Sequence, residues 1–252
     1  APQVKSVTVL NAKQIQVVFN RTVDETSAET VTKYTYQTNA MGSAIAIPST
    51  SSAVLGSDKR TVTITTPDAI NTSLGGIIAG TPFKFTVSGV KDTAAATVAD
   101  YTATLSSSDS VAPVLTAAAA TAKTTTNTVV LTFSEPVKTT GAIVYVGGVS
   151  ATVSADSTNT LKLTTQQSLE AGKSYEISAL NIKDYADNFL SPNPTKISVT
   201  VSSDVVAPVV QSVATVSDNK IKVTFDKAID ADTITGNVRL LDANGALQAS
   251  GT

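Results

Sequence analysis

The sequence predicts an all-β protein built from tandem β-sandwich modules, two of them complete and a third cut short. Three observations predict this fold: an opening segment that recurs three times, short stretches in which apolar and polar residues alternate, and surface polarity that comes from Ser and Thr more than from charge. Hydrophobic residues make up 42% of the 252 residues and charged residues 15%. A chain of this length accommodates two or three domains of roughly 100 residues each.

The recurring opening reads APQVKSVTVL, VAPVLTAAAA and VAPVVQSVAT, beginning at residues 1, 111 and 206. Each copy continues into a strand that ends in Phe and is followed by a polar turn, in IQVVFNRTVD, VVLTFSEPVK and IKVTFDKAID. Phe19, Phe133 and Phe225 therefore occupy one repeated position. Self-similarity of this kind indicates repeated structural modules.

A second block of the repeat lies further along the chain. AGTPFKFTVSGVKD at 79–92 aligns without a gap on AGKSYEISALNIKD at 171–184, which places Asp92 opposite Asp184. Two matched blocks in the same order indicate duplicated modules. The first copy carries additional residues within Glu25 to Leu74, and we expect these to form longer strands or an inserted hairpin.

The boundaries between modules follow from two linkers, SSSDSVAP and SSDVVAP, which are rich in small polar residues and closed by Pro. Proline has no amide hydrogen for a sheet and holds the preceding residue extended, so the chain can change direction there. The predicted modules span 1–108, 109–204 and 205–252. The last contains only an opening half, which predicts that the natural protein continues beyond Thr252.

The periodicity within each module is that of strands. In Lys220–Phe225 the residues alternate, which places Ile221, Val223 and Phe225 on one face that we expect to be buried. Turn clusters rich in Gly, Asn and Asp separate such stretches, as in a sandwich. Helix is expected only in two short segments, Asp24–Tyr34 and Gln167–Ala171.

Composition excludes several classes of function. The net charge is −2, which indicates neither a nucleic-acid surface nor a polybasic membrane patch, and no stretch approaches the ~20 apolar residues that span a bilayer. Cys and His are both absent, which argues against disulfides and against zinc, copper or haem sites. No histidine base and no phosphate-binding loop is available, so the chain is predicted not to be an enzyme and to have no catalytic residues.

Oxygen ligands remain, and they suit calcium, which takes six to eight of them. Acidic residues recur just before the Ala-Pro pairs of the linkers and in the turns that follow the Phe-ended strands, and the segment after Lys183 adds more. We expect acids from a linker, a turn and a loop to converge at each module junction. The candidate ligands are Asp109, Glu135, Asp184, Asp187, Asn188, Asp204 and Asp226.

The same acids can instead form turns and caps, because Asp and Asn hydrogen-bond to nearby backbone amides. The sequence contains no contiguous calcium loop of the EF-hand type, and it leaves both interpretations open. The first module departs from the pattern, since Asn20 and Arg21 stand where the other copies have Ser134–Glu135 and Asp226–Lys227. A site that involves this turn is not expected in the first module.

The VAPVL-type opening, the FSEPV and FDKAI turns, the AGKSYEI strand and the closing KDYADNFLSP segment together resemble a known family. They resemble the bacterial immunoglobulin-like modules of surface-layer proteins of Bacillus and Geobacillus type, over essentially the whole chain. The resemblance implies tandem immunoglobulin-like β-sandwiches in a secreted protein that assembles with copies of itself into a two-dimensional lattice on the cell. It also implies calcium between modules and further segments of the same polypeptide, without nucleic acid or membrane insertion.

Two alternatives follow from the occurrence of similar modules in other secreted bacterial proteins. One is an extracellular spacer or adhesin that binds a ligand or wall glycan, for which exposed tyrosines could stack on sugars. The candidate rings are Tyr34, Tyr36, Tyr145, Tyr175 and Tyr185. The other is a set of accessory modules of a secreted hydrolase.

Overall fold

A computed structural model of the chain describes residues 1–217, 220–227, 229, 234, 239–241 and 246–250. The chain divides into two compact units, Ala1–Ser203 and Asp204–Thr252. Strands dominate both units, and the helices within residues 1–217 are single turns. The all-β expectation is therefore confirmed. Among the described residues, no helix has the length and apolar character needed to cross a membrane.

The first module, residues 1–108, consists of two four-stranded sheets, ordered β1-β2-β6-β5 and β4-β3-β7-β8. Every strand pairing in it is antiparallel. Its strands are β1 (Val4–Asn11), β2 (Gln14–Phe19), β3 (Tyr34–Gln37), β4 (Ile45–Ala46), β5 (Ser52–Leu55), β6 (Thr61–Thr65), β7 (Pro82–Val87) and β8 (Tyr101–Ser106).

One hydrophobic core joins the two sheets of the first module. Alternate residues of β2 point into it, and Ile15, Val17 and Phe19 are each almost fully buried, as the period-2 pattern requires. From the opposite sheet, the ring of Tyr34 stacks on Phe85 with centroids 6.2 Å apart. The aromatic residues thus lie at the centre of a core otherwise built from Val, Ile and Leu.

The second module, residues 109–203, closes into a ring of seven strands in the order β10-β13-β12-β11-β14-β15-β9. The pairing of β15 with β9 is parallel, and the other pairings in the ring are antiparallel. A separate core fills the ring. The strands are β9 (Leu115–Ala122), β10 (Thr125–Phe133), β11 (Ile143–Val146), β12 (Val149–Ser157), β13 (Thr160–Glu170), β14 (Ser174–Leu180) and β15 (Thr195–Ser203).

The second unit contains two antiparallel pairs among its described residues: β16 (Val210–Ser217) with β17 (Lys220–Phe225), and β18 (Arg239–Leu241) with β19 (Leu247–Ser250). Ile221 is half exposed, which differs from the expected buried face of β17. A single pair of strands cannot cover an apolar face by itself. The strands of the repeat are therefore present, but among the described residues this face is only partly buried, at Val223 and Phe225.

All three copies of the repeat share a pair of backbone and side-chain hydrogen bonds, which we call the opening clasp. The residue after the strand-ending Phe donates its N–H to the carbonyl of the residue that follows the opening Pro, and its side chain accepts the N–H of that same residue. The pairs are Asn20–Gln3, Ser134–Val114 and Asp226–Val209, with donor–acceptor distances of 2.8 to 3.0 Å.

The additional residues of the first module do not lengthen its strands, but they do form a short inserted hairpin, since β4 pairs antiparallel with β3 and the seven-stranded ring has no such extra strand. The second of the two expected alternatives is therefore confirmed. Strand β6 has five residues, whereas its counterpart β13 in the second module has eleven. The extra chain also forms helix α1 (Glu25–Ala28), a 3-10 turn and helix α2 (Ile70–Ser73). The added length therefore lies in the β3–β4 hairpin and in these short helical connections.

Of the two expected helices, the segment Asp24–Tyr34 contains α1 and the 3-10 turn Val31–Lys33. Asp24 caps α1, since its carboxylate accepts the N–H of Ser27 at 2.8 Å. The expected helix at Gln167–Ala171 was wrong, because β13 runs through this segment and pairs with β10. Burial of Leu169 between exposed neighbours satisfies the period of a strand.

Removing apolar volume from the core of the second module should destabilise it strongly. We expect Ile177→Ala, at a fully buried position of β14, to lower the free energy of unfolding by about 2–5 kcal/mol. Ile143→Ala is the matched control, because the same side chain in β11 is 41% exposed, and its loss should be below about 1 kcal/mol. Urea unfolding of both variants measures the difference, and equal losses would contradict the described core.

Candidate metal site at the module junction

The junction between the first and second modules is held by direct contacts. Asp109, in the linker, accepts the backbone N–H of Ala12 at 2.9 Å through Oδ2 and that of Val111 at 3.0 Å through Oδ1. Beside it, the Lys13 ammonium lies 3.9 Å from the centroid of the Tyr185 ring, within cation–π range. One short linker side chain therefore connects the β1–β2 turn of the first module to the start of the second.

Asp109 also belongs to a group of three acids. A carboxylate oxygen from each of Asp109, Glu135 and Asp184 lies within 4.8 Å of the other two. Glu135 comes from the turn after β10 and Asp184 from the loop after β14. Asp184 is fully buried and Glu135 is 7% exposed. We call these three residues the junction triad.

The loop that follows β14 holds Asp184 in place. Its Oδ1 accepts the N–H groups of Ala186 and Asn188, both at 2.8 Å, and its Oδ2 accepts the Asn188 side-chain amide at 2.8 Å. The same amide lies 3.2 Å from the carbonyl oxygen of Val111 in the linker. Asn188 thus ties the loop to the linker and positions two members of the junction triad relative to each other.

Glu135 differs from the other two acids, because it accepts no hydrogen bond from an N–H or hydroxyl donor among the residues that the structure describes. Burial, followed by the charges of Asp109 and Asp184, raises its pKa to about 7 from an ordinary value near 4.5. Three carboxylates this close cannot all stay charged without compensation. A shared proton or a bound cation must supply it near neutral pH.

The remaining predicted ligands lie elsewhere. Asp187 is exposed and pairs with Lys138 at 3.1 Å and with Lys183 at 3.8 Å, and the Lys138 contact holds its pKa below the ordinary value. In the second unit, Asp204 pairs with Lys227 at 2.8 Å. Asp226 forms the opening clasp of that unit, so its counterpart is Ser134 and not Glu135. Asn188 contacts the junction triad through Asp184.

An ion pair in the first module, which was not predicted from the sequence, matches part of the junction triad. Arg21 Nη1 lies 3.4 Å from Oδ2 of Asp92, which is 3% exposed. Hydrogen bonds from the backbone of Ala96 and Ala94, together with Arg21, lower the pKa of Asp92. The signal was present in the aligned blocks, because Arg21 aligns with Glu135 and Asp92 with Asp184.

The tyrosines considered as a sugar platform do not form one surface. Tyr34 and Tyr36 are buried in the core of the first module. Tyr175 packs against the core of the second module, and the ring of Tyr185 faces Lys13. These positions favour structural roles for these four rings, whereas the ring of Tyr145 is exposed on β11.

The junction triad has the donor set of a hard cation. Carboxylate and carbonyl oxygens are the ligands that calcium prefers, whereas softer metals favour imidazole or thiolate groups that this sequence lacks. Asp109 and Glu135 come from different segments than Asp184. A cation held by all three would therefore link the linker, the turn and the loop.

Comparison with known proteins finds similarity to a bacterial domain family and to a surface-layer protein. Residues 109–201 match the bacterial Ig-like domain family. Over 96% of its length the chain is 29% identical to the surface-layer 125 kDa protein of Lysinibacillus sphaericus, and it spans 20% of that protein. The resemblance to surface-layer proteins and the immunoglobulin-like character of the second module are thereby confirmed.

Among solved structures, the chain is similar to domains 1–6 of the surface layer protein SbsC, at 17% identity and a TM-score of 0.46, covering 100% of this chain and 31% of that one. It is also similar to native alpha-2-macroglobulin from Escherichia coli, at 12% identity and a TM-score of 0.34, covering 100% of this chain and 86% of that one. The similarity to surface-layer proteins therefore rests on the sequence relative and not on these solved structures.

The raised pKa of Glu135 predicts a pH dependence in metal-free buffer. The folded protein keeps the Glu135 proton up to about pH 7 and the unfolded chain releases it near 4.5, so unfolding releases a proton between these values. The free energy of unfolding should therefore fall from pH 5 to pH 7, by about 3 kcal/mol at most. Urea unfolding across this range measures the fall.

Glu135→Gln is the control for this dependence, since the amide has the same shape but does not titrate. Groups elsewhere in the protein contribute equally to both proteins. The contribution of Glu135 is therefore the difference between the two pH profiles. Identical profiles from pH 5 to pH 7 would contradict the assignment of a raised pKa to Glu135.

Proposed function

We propose that this chain is a structural segment of a secreted bacterial surface-layer protein, which assembles with copies of itself into a two-dimensional lattice on the cell surface. The observation that carries the proposal is the similarity to a surface-layer protein over 96% of the chain. In this role the segment catalyses no reaction. Its partners are neighbouring copies in the lattice and the remainder of the same polypeptide.

The architecture supports a structural role. The modules repeat along the chain, and the first two contact each other through Asp109 and through the Lys13–Tyr185 pair. Within residues 1–108, β5 and β4 each end a sheet, so they offer backbone edges to another strand. An unpaired edge is the kind of surface through which β-proteins associate.

Calcium at the junction triad is the second part of the proposal. Bound calcium would compensate two of the three negative charges of Asp109, Glu135 and Asp184, and it would hold the linker against the turn and the loop. Because Asp109 also binds the N–H of Ala12 in the first module, fixing its carboxylate restrains the joint between the two modules. A lattice needs such restraint, since flexible joints would make the spacing between its copies irregular.

Assembly of the full-length protein tests the first part. On removal of denaturant in calcium-containing buffer, the full-length protein should form regular sheets that are visible by negative-stain electron microscopy. Deletion of residues 1–203 from it should abolish or alter the lattice spacing. Monomers that remain dispersed under all assembly conditions would contradict a lattice role.

Calcium binding to the chain tests the second part. At a hundredfold excess over Kd, calcium should raise the melting temperature of the wild-type chain by at least about 5 °C, because a ligand specific to the folded state stabilises it by mass action. Glu135→Gln should weaken calcium binding at least about tenfold in isothermal titration calorimetry, since it removes a charged ligand.

Asp187→Asn is the matched control for the calcium experiment. It removes an acid from the same loop, at a position that is exposed and outside the junction triad, and it should leave calcium affinity within about twofold of the wild type. An unchanged melting temperature of the wild type in calcium and in chelator would contradict the calcium part of the proposal.

A further inference from the structure

The position two residues after the strand-ending Phe carries a different charge in different copies of the repeat. It is Arg21 in the first module, Glu135 in the second and Lys227 in the third. The opening clasp fixes this alignment, since the residue before each of them makes the same hydrogen bonds. The same backbone site thus presents a cation twice and an anion once.

The surroundings of this position are also equivalent in the first two modules. An isolated β-bridge joins Val23 to Asp92 in the first, and another joins Val137 to Asp184 in the second. In each case the aspartate Oδ1 accepts two N–H groups of its own loop, at 2.8 or 2.9 Å. A buried aspartate therefore faces the variable position in both modules.

In the first module Arg21 meets this aspartate directly, with Nη1 3.4 Å from Oδ2 of Asp92. In the second unit Lys227 meets the linker acid, with Nζ 2.8 Å from Oδ1 of Asp204 and 2.7 Å from the carbonyl oxygen of Val206. Asp92 is the counterpart of Asp184, and Asp204 is the linker acid that corresponds to Asp109. Each cation thus neutralises an acid whose counterpart belongs to the junction triad. Lys227 also ties the linker to the turn.

The second module has the opposite arrangement. Glu135 is more than nine-tenths buried, points at two further acids and receives no donor from the described part of the chain. A buried carboxylate in this situation is costly unless a positive charge compensates it. The two other copies supply that charge from the protein itself, and this one does not.

We propose that the residue at this position selects how each copy of the repeat is neutralised: by a side-chain cation where it is Arg21 or Lys227, and by a bound divalent cation where it is Glu135. This inference rests on the calcium site proposed for the junction triad. Calcium then acts at the joint of the second module, and the turns at Arg21 and Lys227 are closed without metal.

The test is conversion of the second module to the cationic type. Glu135→Lys copies Lys227 and Glu135→Arg copies Arg21, while Glu135→Gln removes the charge without adding a cation. In chelator, Glu135→Lys should melt within about 2 °C of the calcium-loaded wild type and at least about 5 °C above Glu135→Gln. Calcium should shift its melting temperature by less than about 1 °C.

The outcomes separate this inference from the proposal on which it rests. If the wild-type chain binds no calcium, the calcium part of the proposed function fails first. If the wild type binds calcium and both cationic variants melt at or below Glu135→Gln in chelator, the selection by charge is wrong and the calcium site stands. Glu135→Arg is the second cationic variant, and it keeps the test valid if the lysine side chain does not pack at this position.

The reciprocal change in the first module gives an independent readout. Arg21→Glu places a second carboxylate beside Asp92, whereas Arg21→Gln only removes the cation at an exposed site. In chelator, Arg21→Glu should melt at least about 4 °C below Arg21→Gln, and calcium should restore part of that loss only in Arg21→Glu. Equal melting temperatures with no calcium effect on either variant would overturn the inference.

Discussion

Compensation of the charges on Asp109, Glu135 and Asp184 is the main electrostatic constraint at the joint between the first two modules. Asp109 receives the N–H of Ala12 from the first module and stands beside Glu135 and Asp184 in the second. Folding of the second module brings these carboxylates together, because the linker, the turn after β10 and the loop after β14 converge there. How firmly the linker holds the two modules therefore depends on how fully the charges of these carboxylates are compensated. Local electrostatics thereby affects the spacing of the modules.

The repeat explains how one fold can contain joints with different chemistry. The opening clasp recurs in all three copies, so the backbone path of this turn does not depend on the residue at the Arg21, Glu135 or Lys227 position. That position can vary in charge while the backbone around it stays the same. In the proposed arrangement, the turn at Glu135 depends on a bound metal, whereas the turns at Arg21 and Lys227 are closed by side-chain cations.

Much of the fold follows from the sequence, because alternation within strands and recurrence between copies are both local signals. Convergence of acids from a linker, a turn and a loop was also expected, and the structure brings Asp109, Glu135 and Asp184 together. Asp226 was predicted as a ligand because, like Glu135, it is an acid in the turn after a Phe-ended strand, but it occupies the clasp position. Gln167–Ala171 was assigned to helix because only its pairing with β10, which is distant in sequence, identifies it as strand.

A crystal structure of the chain grown in calcium tests whether the junction triad binds this metal. We expect one strong density peak with carboxylate oxygens of Asp109, Glu135 and Asp184 at about 2.3–2.6 Å from it. The Ala12–Asp109 contact should be retained in the same crystal. If the crystals hold saturating calcium at neutral pH and no density peak lies between the three carboxylates, the result contradicts calcium binding at the junction triad.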